Sequence, residues 1–152
     1  MSAAFGAFSP SGSPPPSSQL MIIPYSGILF NSDSPGEVFT FPANPGIENT
    51  GATANQVDPI EFPLEAGQIT VLRAVAPFGT STAFTFTVYK NGVATALTCV
   101  INDPSPYASA VDNNPAHAVT FAAGDKFDVR VSAVAPFESD TPFSGSVAGL
   151  FG

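Results

Sequence analysis

Asn91-Gly92 constrains this chain more than any other pair of residues in it. It separates two apolar, β-rich runs, Ala83 to Lys90 (AFTFTVYK) and Val93 to Ile101 (VATALTCVI). A two-residue type I′ turn needs positive φ at both central positions, and Asn followed by Gly supplies them at low steric cost. The pair therefore predicts an antiparallel hairpin. Its first arm alternates, with Phe84, Phe86 and Val88 on one face and Thr85, Thr87 and Tyr89 on the other.

The same grammar recurs along the chain. Lys126 to Ala133 alternates cleanly after the turn Ala123-Gly124-Asp125: Phe127, Val129, Val131 and Ala133 point one way, Lys126, Asp128, Arg130 and Ser132 the other. A one-residue slip would bury those four polar groups, so the register is fixed. Further strands are expected at Leu20 to Ile23, stopped by Pro24, and at Gly27 to Phe30, Glu37 to Phe41, Gln68 to Ala76, Ala116 to Ala122 and Ser144 to Leu150. Residues 42–59 and 102–114 read as long loops, and loops of that length usually make contacts or carry function. Eight to ten short strands joined by turns predict an all-β, antiparallel sandwich, jelly-roll-like in its connections.

Composition agrees and narrows the function. Fourteen Phe, sixteen Pro and thirteen Gly in 152 residues, with two Met and four Lys plus Arg, suit short strands and many turns rather than helices. A net charge of −8 repels phosphate, so neither nucleic acid nor an anionic membrane is an expected partner. With four cations, ion pairs cannot be the main source of stability, and apolar burial must supply it. No apolar run is long enough to span a bilayer, and MSAAFGAFSP lacks the basic and apolar regions of a secretion leader.

Residues 1–19 (MSAAFGAFSPSGSPPPSSQ) read as an N-terminal arm, and residues 20–152 as the sandwich. Pro14, Pro15 and Pro16 favour an extended, polyproline-like path. Phe5 and Phe8 in such an arm suggest anchors for docking. Phe78, Phe137, Phe143 and Phe151 fall in turns or the tail of the predicted pattern. Apolar rings outside strands suggest contacts with another subunit, although packing onto the same domain explains any one of them equally well.

Reactive groups are few. Cys99 is the single cysteine, in phase with Leu97 and Ile101, and reads as a small core residue; the alternatives are a nucleophile or an interchain bridge. His117, the single histidine, could pair with it as a base, but no nucleophile elbow, orienting carboxylate or oxyanion turn accompanies them. Asp103 and Asp112-Asn113-Asn114 offer oxygen ligands for calcium without a recognised loop spacing. One His and one Cys do not make a zinc site. Tyr25 and Tyr107 are the aromatic side chains available for sugar stacking. No catalysis, cofactor or metal is expected.

Three segments carry a resemblance: MIIPYSG (Met21 to Gly27), AFTFTVYKNGVATAL (Ala83 to Leu97) and AAGDKFDVRVSAVA (Ala122 to Ala135). Their order and spacing resemble C-terminal domains of bacterial exosporium-type surface glycoproteins, and the strand–Asn-Gly–strand and Ala-Gly-Asp–strand patterns look like those of phage head-decoration and fibre domains. The resemblance implies a compact, trimer-forming β-sandwich and brings no catalytic residue. The collagen-like repeats that precede such domains in the surface glycoproteins are absent here. The expected function is therefore that of a capsid decoration (cement) protein of a phage. It would lie on the outer surface of the virion, bind the major capsid protein or other shell subunits, and form a homo-oligomer, a trimer before a dimer. The alternative is a receptor- or carbohydrate-binding tip module using Tyr107 and the 102–114 loop.

Overall fold

Alternation between apolar and polar side chains sets the architecture. The computed structural model describes residues 18–29, 37–42, 62–63, 65–76, 83–102, 106–133 and 141–152. They form β1 (Gln19–Leu29), β2 (Glu37–Pro42), β3 (Phe62–Pro63), β4 (Gly67–Ala76), β5 (Phe84–Lys90), β6 (Val93–Ile101), β7 (Ala108–Asp112), β8 (Val119–Phe121), β9 (Lys126–Ala133) and β10 (Thr141–Phe151), with one short 3-10 turn at Pro115–His117. All pairings among them are antiparallel. Among the described residues no helix is long and apolar enough to cross a membrane.

Two sheets stack. One runs β2-β1-β10-β4, with β7 and β8 side by side along the far edge of β4. The other runs β6-β5-β9-β2, with β3 also on β9. β2 bonds to both β1 and β9 and so joins the layers on one side. The chain is all-β, and the expected sandwich is the observed one.

The core lies between the layers. Phe84, Phe86 and Val88 of β5, Leu97, Cys99 and Ile101 of β6, and Phe127, Val129 and Val131 of β9 point inward from one sheet. Ile23 and Tyr25 of β1, Ile69, Leu72 and Ala74 of β4, and Phe143, Val147 and Phe151 of β10 meet them from the other. Phe86 meets Phe143 edge to face, with ring centroids 5.6 Å apart. Each fully buried large side chain contributes roughly 1.5–3 kcal/mol. The Asn-Gly turn is as expected, with φ of 49° at Asn91 and 77° at Gly92.

Several expectations need correction. Leu20–Ile23 and Gly27–Phe30 are not separate strands: β1 runs straight through Pro24. On its β2 side β1 is bonded at Tyr25 and Ser26, so Pro24, which has no N–H to give, sits where that edge begins. Ala116–Ala122 is not one strand. Asn114 caps a 3-10 turn over Pro115–His117, its side chain accepting from Ala116 N at 3.0 Å, and β8 follows at Val119. The 102–114 loop contains β7, built from small residues with weak strand signal. The outward row of β9 is not all solvated: Asp128 is buried, with Arg130 Nε donating to its Oδ2 at 3.0 Å.

Candidate interaction surface

The two outer faces of the sandwich differ in kind. Outside β5 and β9 the side chains are largely polar and mutually engaged, while β6 adds the exposed Val93 and Val100. Arg130 stacks on the Tyr89 ring at 3.8 Å and pairs with Asp128, and the Thr87 and Thr98 hydroxyls meet at 3.2 Å. Outside β1 and β10 one end is apolar, and the other carries Ser26, Ser144 and Ser146. Leu20, Ile22 and Leu150 are 68, 62 and 52 % exposed. In the β1–β10 register Leu20 lies opposite Leu150 and Ile22 opposite Ala148, which makes one block. On β4, Gln68 lies beside Leu150 and Val71 beside Ala148, and Arg73 lies beside Ser146 with the exposed Val111 next to it on β7. An exposed apolar block of this kind is a candidate contact surface.

The inner side of the same two strands explains why the block is held firmly. Tyr25 is buried beneath it and lies across Gly145, its register partner, so that its hydroxyl donates to the Arg73 carbonyl at 2.6 Å on the next strand over. A Cβ at Gly145 would collide with that ring and with the same carbonyl. Burial pushes the Tyr25 hydroxyl pKa far up, with a further push from nearby Cys99. Tyr25 is therefore a core residue and is not available for sugar stacking.

At the side of the sandwich opposite β2, one carboxylate ties the layers together. β7 ends the first sheet and β6 the second, and Asp112 of β7 reaches across. Its Oδ2 accepts from Thr98 N of β6 at 3.0 Å and lies 2.7 Å from His117 Nδ1, while its Oδ1 accepts from Asn114 N at 3.1 Å. Burial raises the Asp112 pKa, but the bonds from Asn114, His117 and Thr98 outweigh it, and the net shift is downward. His117 is thus engaged with Asp112 rather than with Cys99. Burial, helped by the Asp112 charge, pushes the Cys99 thiol up to about 12, so it stays protonated near neutral pH.

A second knot joins two turns that the sequence showed separately. Asn91 Nδ2 donates to Asp125 Oδ1 at 2.8 Å, Asn91 Oδ1 accepts from Lys126 N at 2.8 Å, and Asn91 N donates to Lys126 O at 2.9 Å. Lys90 Nζ pairs with Asp125 Oδ2 at 2.9 Å. Hydrogen bonds from Asn91, Lys90 and Ala122 hold the Asp125 pKa down at about 2.

Of the residues expected at an interface, Phe143 and Phe151 are corrected. Both lie inside β10 and are buried in this chain's own core, because the strand extends beyond Ser144–Leu150 at both ends. Phe5, Phe8, Pro14, Pro15, Pro16, Phe78 and Phe137 lie outside the described residues, as do Asp103 and most of the 42–59 loop. Tyr107 is 77 % exposed in a turn directly before β7, with a φ of 61°. Asp112, one of the oxygen donors considered for calcium, has both oxygens engaged within the chain, and among the described residues no three His, Cys, Asp or Glu cluster to hold a metal. The sequence reading missed the Leu20–Ile22–Leu150 block. The signal was there in the absence of any Asp, Glu, Lys, Arg or His from 19–29 and 141–151.

No family model matches this chain, and no curated protein matches it in sequence, so kinship with the exosporium-type glycoproteins finds no support there. Its fold is similar to that of a chain in the cyanophage Pam1 capsid asymmetric unit. The two superpose with a TM-score of 0.50 at 12% identity, over the whole of both chains. At that identity the likeness is one of fold.

Proposed function

We propose that this chain is a structural protein of a virus particle, a decoration or cement subunit that strengthens a phage head by non-covalent contacts. The observation that carries the reading is the whole-length likeness to a chain of a phage capsid asymmetric unit. The apolar block on the outside of β1 and β10 supports it, because a protein that works by adhesion needs such a surface and an enzyme does not. In this reading the chain performs no catalysis. The mechanism is burial of apolar area between subunits, with the segment 1–19 and the 42–59 loop as further bridges to the major capsid protein. The net charge of −8 favours the outer surface, since the inner wall of a filled head lies against DNA.

The test is addition of purified chain to shells that lack it, with bound copies counted by quantitative mass spectrometry. Saturable binding and a rise in the shell's disruption temperature are expected. No binding at saturating protein would overturn the reading. Deletion of residues 2–19 asks whether that segment takes part, and unchanged occupancy would remove it from the mechanism. The exposure of Tyr107 favours one second reading, a glycan-binding tip, and a glycan array separates the two because a pure cement subunit gives no signal on it.

A further inference from the structure

Asn91-Gly92 is the single Asn-Gly pair in the chain, and it is a reactive pair as well as a turn. In an open chain the backbone nitrogen that follows an asparagine attacks that asparagine's side-chain amide, and glycine, with no Cβ, obstructs the attack least. Both residues are exposed, and a Cβ at Gly92 would meet nothing within 4 Å, so water reaches the pair. The carboxamide is nevertheless held. Its Oδ1 accepts from Lys126 N at 2.8 Å and its Nδ2 donates to Asp125 Oδ1 at 2.8 Å, while Asn91 N donates to Lys126 O at 2.9 Å. Asp125 is itself fixed by Lys90 Nζ at 2.9 Å and by Ala122 N at 2.8 Å. Both polar ends of the amide are tied to the turn before β9, and its carbon cannot swing onto the Gly92 nitrogen while those bonds hold.

We propose that Asn91 is a site of self-modification gated by this turn–turn knot: the closed knot suppresses deamidation, and deamidation, once it has occurred, keeps the knot from closing again. The step needs only water. When the knot opens, Gly92 N bonds to Asn91 Cγ, the Cγ–Nδ2 bond breaks, and ammonia leaves with the proton that Gly92 N gives up. Water then opens the resulting succinimide at either carbonyl, giving aspartate or isoaspartate with no change of oxidation state. The aspartate product puts a carboxylate oxygen where Nδ2 had donated, 2.8 Å from Asp125 Oδ1. Two like charges at that spacing repel, and Lys90 Nζ is already committed to Asp125 and to the Thr120 carbonyl. The isoaspartate product lengthens the backbone by one carbon, which a two-residue turn with φ of 49° and 77° does not accommodate. Either way the β5–β6 turn loses its tether to the turn between β8 and β9, while the strands behind it stay paired. The inference does not rest on the assembly reading.

The test ages the full chain in mildly alkaline buffer, native and in urea. Deamidation at Asn91 is followed by mass spectrometry of peptic peptides, and isoaspartate by enzymatic methylation. The native rate is expected to be roughly tenfold or more below the unfolded one. Asp125→Ala, checked by circular dichroism for an intact fold, removes the acceptor and raises the native rate by about threefold or more. Asn91→Asp installs the product directly and melts below wild type at neutral pH. Adding Asp125→Asn to it recovers the loss, because donor and acceptor then trade places across the knot. Equal rates in the native and unfolded chain, or a native rate indifferent to Asp125→Ala, overturn the gate. An Asn91→Asp chain as stable as wild type, or one that Asp125→Asn does not rescue, overturns the lock. An unfolded chain that leaves Asn91 intact overturns the site altogether.

Discussion

Gly145→Ala has a cost that follows directly from the geometry. Gly145 lies in β10 between Tyr25 of β1 and Ala74 of β4, and the Tyr25 ring crosses over it to reach the Arg73 carbonyl. A methyl group there meets the ring, the hydroxyl and that carbonyl together. The carbonyl belongs to a paired strand, so either the ring leaves or β10 and β4 part. Expelling the ring forfeits about 0.5–1.5 kcal/mol for the hydrogen bond. It forfeits about 1.5–3 kcal/mol more for the buried side chain, and its contact with Phe86, 6.3 Å between centroids, goes as well. The total is about 2–4.5 kcal/mol, and at about 2–4 °C per kcal/mol for a domain of this size Tm falls by roughly 4–18 °C. Tyr25→Phe keeps the ring and loses only the bond, so it costs about 1 kcal/mol. Urea titration and calorimetry measure both. A Gly145→Ala chain within about 1 kcal/mol of wild type, or less destabilised than Tyr25→Phe, would refute the packing described for β1, β10 and β4.

Three further outcomes are expected. Asp112→Asn replaces one acceptor oxygen with a donor facing Thr98 N–H or Asn114 N–H, and urea denaturation should show a loss of about 1–3 kcal/mol with the β6–β7 side opening first in hydrogen exchange; uniform exchange across all strands would argue against a local tie. The pKa of Asp125 is about 2 in the fold against an ordinary 3.8, so its stabilising contribution is complete above the ordinary value and disappears as pH falls through about 2. Melting temperature against pH should therefore flatten at the acid end in Asp125→Asn, and an unaltered acid profile would count against the turn–turn knot. Cys99, with its thiol pushed up to about 12 and buried, should resist iodoacetamide at pH 8 until denaturant is added; rapid alkylation of the native chain would place it elsewhere.

The parts of the fold legible in the sequence are those whose signal is local. Asn91-Gly92 and Ala123-Gly124-Asp125 demanded turns, and the Phe84–Val88 and Phe127–Val131 alternations set two strands of the core. β10 was half hidden because its inward row, Phe143, Gly145, Val147, Gly149 and Phe151, alternates rings with glycines. The glycines make sense only once the Tyr25 ring of another strand is seen lying across one of them. Hence Phe143 and Phe151 looked like loose rings outside the strands. β7 was hidden by small side chains, and the strand through Pro24 by a proline that stops a strand only where its N–H is needed. The Asp112 tie joins residues of different strands, and no local pattern announces it. The outer apolar block was not seen because Leu20, Met21 and Ile22 form a continuous run, and the face each residue takes depends on the register with β10.

The claim that this molecule works through its oily outer surface is tested most directly by electron cryomicroscopy of virus particles that carry it. The account predicts density for the sandwich on the outside of the shell, with Leu20, Ile22 and Leu150 covered by another protein chain. Particles that hold the chain with that face open to solvent, or that do not hold it at all, would contradict it.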